Sequence, residues 1–265
     1  MSAVTVVGVP WDGSSSFARG AAEAPAAIRR ALWSPSSNSW NERGDDLSTP
    51  GLLEDAGDLV LGSDGAGARA AIEAAAAAIL GGQRVPLALG GDHSITYPLL
   101  RAFATVRPAI LHFDAHGDLY DDYEGDRYSH ACPFARIMEE RLASRLIQVG
   151  VRTLTAHQRD QVRRFGVETF PPSRWRDAAD VVAGVKGPLY ISLDLDVLEP
   201  MLAPGLSHPE PGGLSVRDVL DVLAAVRGPV AGADVVEYNP RFDVRDVTAR
   251  VAAKFVKEIV GLRGL

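Results

Sequence analysis

The stretch Pro108-Ala-Ile-Leu-His-Phe-Asp114-Ala-His116-Gly-Asp118 decides how this chain folds. It opens as an apolar run and stops at three potential metal ligands in alternate positions, Asp114, His116 and Asp118. A short continuous apolar run suits a strand buried on both faces. Residues i, i+2 and i+4 of an extended segment point the same way, so two carboxylates and an imidazole converge at the strand end. That combination suits a borderline-hard divalent cation.

Outward from this stretch, strand and helix patterns alternate. Strands are predicted over residues 4–9, 85–89, 109–113, 146–149, 167–170, 189–193 and 230–236, with a short one near 58–61. Helices are predicted over 24–32, 66–80, 96–105, 132–142, 156–165, 174–183 and 216–227, and from about Val244 onward. Residues 34–50, rich in Ser, Asn and Asp, read as an ordered excursion. Repeated alternation implies a parallel sheet with helices on both faces. The expectation is an α/β fold: one three-layer α/β/α domain spanning 1–265, with a central, mostly parallel sheet of about eight strands.

Composition narrows the function classes. With 46% apolar residues among 265, the chain can bury a sizeable core. A net charge of -7 argues against nucleic acid or an anionic membrane as the main partner. The single Cys132 cannot form an internal disulfide, which points to a reducing setting. The N-terminus leads directly into Val4-Thr-Val-Val with no signal-peptide pattern, and no apolar run approaches the ~20 residues of a membrane span. A cytoplasmic protein is expected.

In open parallel sheets, ligands bind beyond the carboxyl ends of the strands. Four predicted strands run into polar clusters there: Gly90-Gly-Asp-His93-Ser, Asp114 to Asp118, Asp194-Leu-Asp196 and Glu237-Tyr-Asn-Pro. Taken singly, each has an ordinary reading as a cap, a turn or a helix start. Their coincidence at four strand ends is harder to explain that way. Asp114, Asp118, Asp194 and Asp196 would repel one another if gathered without cations, and no Lys or Arg lies in these motifs. Two divalent cations would neutralise them, and such a pair makes water acidic enough to yield a nucleophile near neutral pH. A carboxylate-rich set with few imidazoles favours manganese over zinc.

The motifs Gly90-Gly-Asp-His93-Ser, Phe113-Asp-Ala-His116-Gly-Asp118 and Ser192-Leu-Asp194-Leu-Asp196-Val-Leu-Glu-Pro resemble the three signatures of the ureohydrolase family, the arginases, agmatinases and relatives. Gly212-Gly213-Leu and Glu237-Tyr-Asn-Pro complete the pattern. The resemblance extends from Val6 to the C-terminal helix. Ser14-Ser-Ser-Phe, Ala22-Glu-Ala-Pro, the run from Tyr123 to Glu139 and Ser207-His-Pro-Glu-Pro-Gly-Gly-Leu-Ser look most like the plant-type arginase branch.

Carried over position by position, the resemblance implies an arginase-like fold holding two Mn2+ per chain. His93, Asp114, Asp118 and Asp194 would hold one ion, and His116, Asp114, Asp194 and Asp196 the other, with Asp114 and Asp194 bridging. It makes His130 the proton-shuttling histidine and Glu237 the carboxylate that binds a guanidinium, a pairing that suits the planar fork of donors. The loop of residues 119–129 should border the pocket mouth. There Arg127, Tyr128 and Ser129 are candidate carboxylate donors, and Asp121, Asp122, Glu124 and Asp126 candidate ammonium acceptors. His208, where the family commonly has Thr, is a further candidate substrate contact. Two departures stand out: Glu199 replaces a usual Asp, and Gly150-Val-Arg-Thr-Leu-Thr155 lacks an Asp that animal-type arginases use.

The expected activity is hydrolysis of a small cationic guanidino substrate with release of urea, first of all L-arginine to L-ornithine. Nω-hydroxy-L-arginine, agmatine and guanidino acids are alternatives on the same site. Outside that class stand a formimino hydrolase or deacylase, and a non-catalytic metal-binding regulatory protein. The last would have no use for His130 and Glu237. The resemblance also implies a homo-oligomer, trimer or hexamer.

Overall fold

The computed structural model describes residues 3–262. Its strands are β1 (Val4–Gly8), β2 (Leu53–Asp58), β3 (Val85–Leu89), β4 (Ala109–Phe113), β5 (Arg145–Val149), β6 (Glu168–Phe170), β7 (Leu189–Asp194) and β8 (Val230–Val236). The helices are α1 (Ala24–Leu32), α2 (Gly65–Gly81), α3 (Thr96–Arg101), α4 (Pro133–Glu139), α5 (Ala156–Phe165), α6 (Trp175–Ala183), α7 (Val216–Ala224) and α8 (Val247–Gly261). Every residue of β1, β3, β4 and β7 is buried, as continuous apolar strands require when both sheet faces are covered.

The eight strands form one sheet in the order β2-β1-β3-β8-β7-β4-β5-β6. All neighbouring pairs are parallel, so the expected mostly parallel sheet is wholly so. Successive strand residues face opposite sides. One face, with Leu87, Leu89, Leu111, Phe113, Ile191 and Leu193, packs under α1, α6, α7 and α8. The other, with Ala88, Ile110 and Tyr190, packs under α2, α3 and α4. The helix ends follow local chemistry. Asp64 caps α2 by accepting from Ala66 N and Gly67 N, and capping boxes Thr155/Gln158 and Ser215/Asp218 start α5 and α7.

The short strand expected near 58–61 lies instead at Leu53–Asp58. It is an edge strand paired only with β1 and mostly solvent-exposed, so its sequence Leu-Glu-Asp-Ala-Gly-Asp lacks the apolar continuity that marks its neighbours. The helix expected over 96–105 ends at Arg101, after a 3-10 turn over His93–Ile95. Residues 34–50 form turns and one antiparallel bridge, Trp40 to Asp46. Among the described residues no helix is long and apolar enough to cross a membrane.

Register places the site. Leu89 pairs with Val235, Val235 with Leu193, and Leu193 with Phe113. These four residues form one lateral row across β3, β8, β7 and β4. The four polar clusters read from the sequence follow this row directly, on adjacent strands at the middle of the sheet. The chain order reverses here, where crevices open in parallel sheets.

Candidate metal centre and substrate cleft

Beyond the row, His93 Nδ1 lies 3.1 Å from one carboxylate oxygen each of Asp114, Asp118 and Asp194. His93 is fully buried, and Nδ1 has no hydrogen-bond partner. Its other nitrogen explains the tautomer. Nε2 lies 2.9 Å from Ser192 Oγ, and the Ser192 hydroxyl donates to Asp234 Oδ1 at 2.7 Å. With that hydroxyl proton committed, Nε2–H of a neutral His93 donates to Ser192, and Nδ1 aims a lone pair at three oxygen acceptors. A buried cluster of acceptors alone is costly, and a cation resolves it. When no cation is present, protons must serve. Burial opposes charge on His93, but the carboxylates of Asp114, Asp118 and Asp194 facing Nδ1 hold it well above the usual imidazole range. Burial, then the Asp114 charge, pushes Asp118 up to about 6.

A second group adjoins the first. His116 Nδ1 lies 2.9 Å from Asp196 Oδ2 and 3.3 Å from Asp114 Oδ1. Asp114 thus turns Oδ2 to the His93 group and Oδ1 to the His116 group. Asp194 turns Oδ2 to His93, while its Oδ1 accepts from Asp196 N at 2.8 Å. All six residues singled out as ligands are brought together, in a donor set fitted to divalent cations. Two of the residues that shape the cleft, Asp118 and Glu237, take left-handed backbone angles (φ 47° and 63°) that non-glycine residues rarely adopt.

A supporting row lies one residue below, and it was not recognised in the sequence. His112 pairs with Ser192, and Ser192 with Asp234. Gln148 Nε2 donates to His112 Nδ1 at 3.1 Å, so His112 Nε2–H donates to Asp114 Oδ2 at 2.8 Å. Burial pushes His112 down to about 4, which keeps it neutral in this role. Asp234 accepts from Tyr190 Oη and Thr96 Oγ1 as well as Ser192. The signal was present: His112, Ser192 and Asp234 are single polar residues inside otherwise apolar strands. Removing the His93 anchor by Ser192→Ala should weaken metal binding about 10–100-fold, the usual cost of losing such support. Metal titration of the purified variant checks this, and unchanged affinity would show that Ser192 does not orient His93.

The cleft above is lined by His116, Asp118, Asp194, Asp196, His130 and Glu237. Glu237 is buried; Oε1 accepts from His93 N at 2.8 Å, and Oε2 has no partner. Burial, with the nearby charge of Asp92, raises Glu237 well above the usual carboxylate range, so an incoming cation would be strongly favoured. His130 Nδ1 lies 3.6 Å from Glu237 Oε1, and its Nε2 lies 2.9 Å from Ser16 Oγ. Burial, with the nearby His208, pushes His130 down to about 3, leaving it neutral. The His208 ring stacks on it at 4.6 Å.

The mouth is lined by Ser16, Tyr120, Tyr123, Thr153, Gln158 and His208. The 119–129 loop therefore reaches the cleft through its tyrosines. Arg127 instead pairs with Glu139, and Ser129 is buried beside Tyr97 and Pro133. Three of the loop acids are engaged away from the cleft: Asp121 accepts from Gln161 of α5, while Asp122 and Asp126 accept from Gly125 N and Tyr128 N. Glu199 accepts from Gly212 N and Gly213 N, which orders that turn. Arg152 donates to the carbonyls of Asp196 and Glu210, bracing the loop behind Asp196. Ser16, Thr153 and Gln158 were missed as cleft residues, because nothing local in the sequence shows which distant loops meet there.

The pattern of the arginase family matches residues 2–261, nearly the whole chain. The chain belongs to the arginase family. It is 45% identical to a mitochondrial arginase of Medicago truncatula over 96% of this chain and 80% of that one. It is likewise 45% identical to the chloroplastic/mitochondrial arginase 2 of Arabidopsis thaliana, over 96% of this chain and 78% of that one. The solved arginase from Medicago truncatula superposes with a TM-score of 0.92 at 42% identity, over 98% of this chain and 86% of that one. Membership in the arginase family makes the protein a metal-dependent hydrolase of guanidino compounds. The expectation of a cytoplasmic setting does not stand, because these plant relatives carry organellar designations. The physical reason is plain: one cysteine excludes an internal disulfide in any compartment, and so cannot choose between the cytosol and an organelle.

Proposed function

We propose that this arginase-family chain hydrolyses L-arginine to L-ornithine and urea at a binuclear manganese centre. The observation that carries the reading is Asp114, whose two oxygens face two separate imidazole–carboxylate groups. His93, Asp114, Asp118 and Asp194 would hold one ion, and His116, Asp114, Asp194 and Asp196 the other. Bound there, the pair would supply a nucleophile from water at neutral pH and stabilise negative charge on the oxygen that adds to the guanidinium carbon. Glu237 would hold the guanidinium through its partnerless Oε2. His130, neutral and next to Glu237, would relay a proton to the departing amine, giving up the one on Nδ1 as Nε2 takes another from solvent through the exposed Ser16 hydroxyl. The plant relatives named arginase support arginine as the substrate. The reading also carries the domain and assembly expected from the sequence: one domain over 1–265, associating as a trimer or hexamer.

One observation favours a second substrate. Among the described residues no Lys or Arg lines the cleft, so an α-carboxylate would rely on neutral donors such as Thr153 and Gln158. Agmatine, which lacks that carboxylate, makes no such demand. Urea release from L-arginine, Nω-hydroxy-L-arginine and agmatine, compared as kcat/KM on manganese-loaded protein, tests the assignment. L-arginine is expected to lead agmatine by at least about tenfold, the value of one net hydrogen-bonded contact or more. Faster turnover of agmatine would make the protein an agmatinase.

A further inference from the structure

The loop of residues 11–20 contributes no residue to the metal groups or to the guanidinium site, yet it is tied down at every turn by residues that border them. Trp11 O accepts from Asp92 N at 2.8 Å, and Ser14 N donates to Asp92 Oδ2 at 2.9 Å. Gly91 lies so close beneath that a Cβ there would meet the Trp11 carbonyl oxygen, which requires glycine at this crossing. Farther along, Gly20 N donates to Asp12 Oδ2 at 2.7 Å. The Ala18 carbonyl accepts from Ser207 Oγ at 2.8 Å, and the Arg19 carbonyl from Asn239 Nδ2 at 3.3 Å. Asp92 precedes His93, Ser207 precedes His208, and Asn239 lies two residues beyond Glu237. The strap is therefore in fixed register with the strand ends that build the cleft.

That strap meets His130 twice. His130 N donates to Ser14 O at 3.2 Å, fixing the backbone, and Ser16 Oγ lies 2.9 Å from His130 Nε2, fixing the ring. With Nε2 engaged, Nδ1 is the nitrogen left facing Glu237, at 3.6 Å. His208 closes one face of the ring, and the ring of Phe17, the residue after Ser16, lies 6.0 Å from that of His208. The ring cannot turn over without breaking the Ser16 contact.

We infer that Ser16 is a positioning residue for His130: its hydroxyl donates to Nε2 and so keeps the proton on Nδ1, facing Glu237 and the amine that leaves. Holding a neutral imidazole in one tautomer by a bond to its other nitrogen is how such rings are aimed. The inference rests on the proton-transfer role proposed above for His130. An alternative for Ser16, direct contact with the substrate's far end, would act on binding and would not depend on His130.

The test is a kinetic double-mutant cycle on the manganese-loaded full chain with L-arginine or whichever guanidine it turns over best. Ser16→Ala should lower kcat about three- to tenfold, with KM unchanged, as the loss of one neutral hydrogen bond implies. Ser16→Thr, which keeps the hydroxyl, should recover most of it. In a His130→Asn background, Ser16→Ala should cost nothing further, because the group it positions is gone. Unchanged kcat in Ser16→Ala overturns the inference, as does an effect confined to KM or one equally large in both backgrounds. If His130→Asn alone keeps wild-type kcat, the role of His130 falls and that of Ser16 with it. If His130→Asn is slow and Ser16→Ala is not, only Ser16 is wrongly assigned.

Discussion

Asp114→Asn is expected to empty both halves of the proposed metal centre in one substitution. Asp114 Oδ2 shares the His93 Nδ1 position with Asp118 and Asp194, and Oδ1 shares the His116 Nδ1 position with Asp196. An amide keeps the shape but removes the charge, and it turns one coordinating oxygen into an NH2 donor. Either orientation puts that donor where one of the two groups needs a lone pair. His112 adds a second conflict, because its Nε2–H already donates to Oδ2 and would face the amide. Elemental analysis after manganese loading and gel filtration should therefore fall from about two ions per chain to well below one, given the occupancy expected of a two-metal site. Turnover should fall by at least about 10²–10³-fold, the cost of losing even one preorganised electrostatic stabiliser. Asp118→Asn is the control. It touches only the His93 group, so the ion beside His116 should persist. Two tightly held ions in Asp114→Asn would remove the shared-ligand assignment.

The residues proposed as metal ligands were legible because they interrupt the strongest pattern in the chain. Buried parallel strands read as unbroken apolar runs, so a histidine or a pair of aspartates at a run's end stands out, and four such ends imply one rim. What the sequence could not show was lateral order. The strands that meet at the centre are third, eighth, seventh and fourth along the chain, and only the register of Leu89, Val235, Leu193 and Phe113 makes their ends neighbours. The cleft mouth was less legible still. Arg127 and Ser129 follow the ligands closely in sequence, but Arg127 turns to Glu139 and Ser129 into the packing. The positions they were expected to fill are lined by Ser16, from a loop far earlier in the chain, and by Thr153 and Gln158 at the start of α5. Loops are placed by the partners that satisfy their backbone, and those partners are tertiary. Edge strand β2 escaped for the opposite reason: half in water, it has no apolar run to betray it.

Glu237→Gln should separate binding of the guanidinium from binding of the metals. Glu237 faces neither imidazole–carboxylate group as a further acceptor; its Oε1 is engaged by the His93 backbone N–H, and its Oε2 is buried without a partner. A glutamine can still accept from His93 N, so the 3-10 turn and the metal ligands beyond it should stay in place. What is lost is the negative charge opposite a planar cation, and the amide's NH2 now points donors at donors. Breaking one side of a buried charge pair costs about 3–5 kcal/mol, which corresponds to a fall in kcat/KM of roughly 10²–10⁴-fold. Metal content should remain that of the unaltered protein, and inhibition by free guanidinium ion should weaken in parallel with kcat/KM. The reverse result, loss of metal with unchanged affinity for guanidinium, would make Glu237 a ligand and leave the substrate cation without a buried counter-charge. Glu237→Asp refines the outcome. It keeps the charge but withdraws it by one methylene, so it should retain metals and recover part of the lost activity, because a carboxylate held too far back still attracts the cation but no longer bonds it closely.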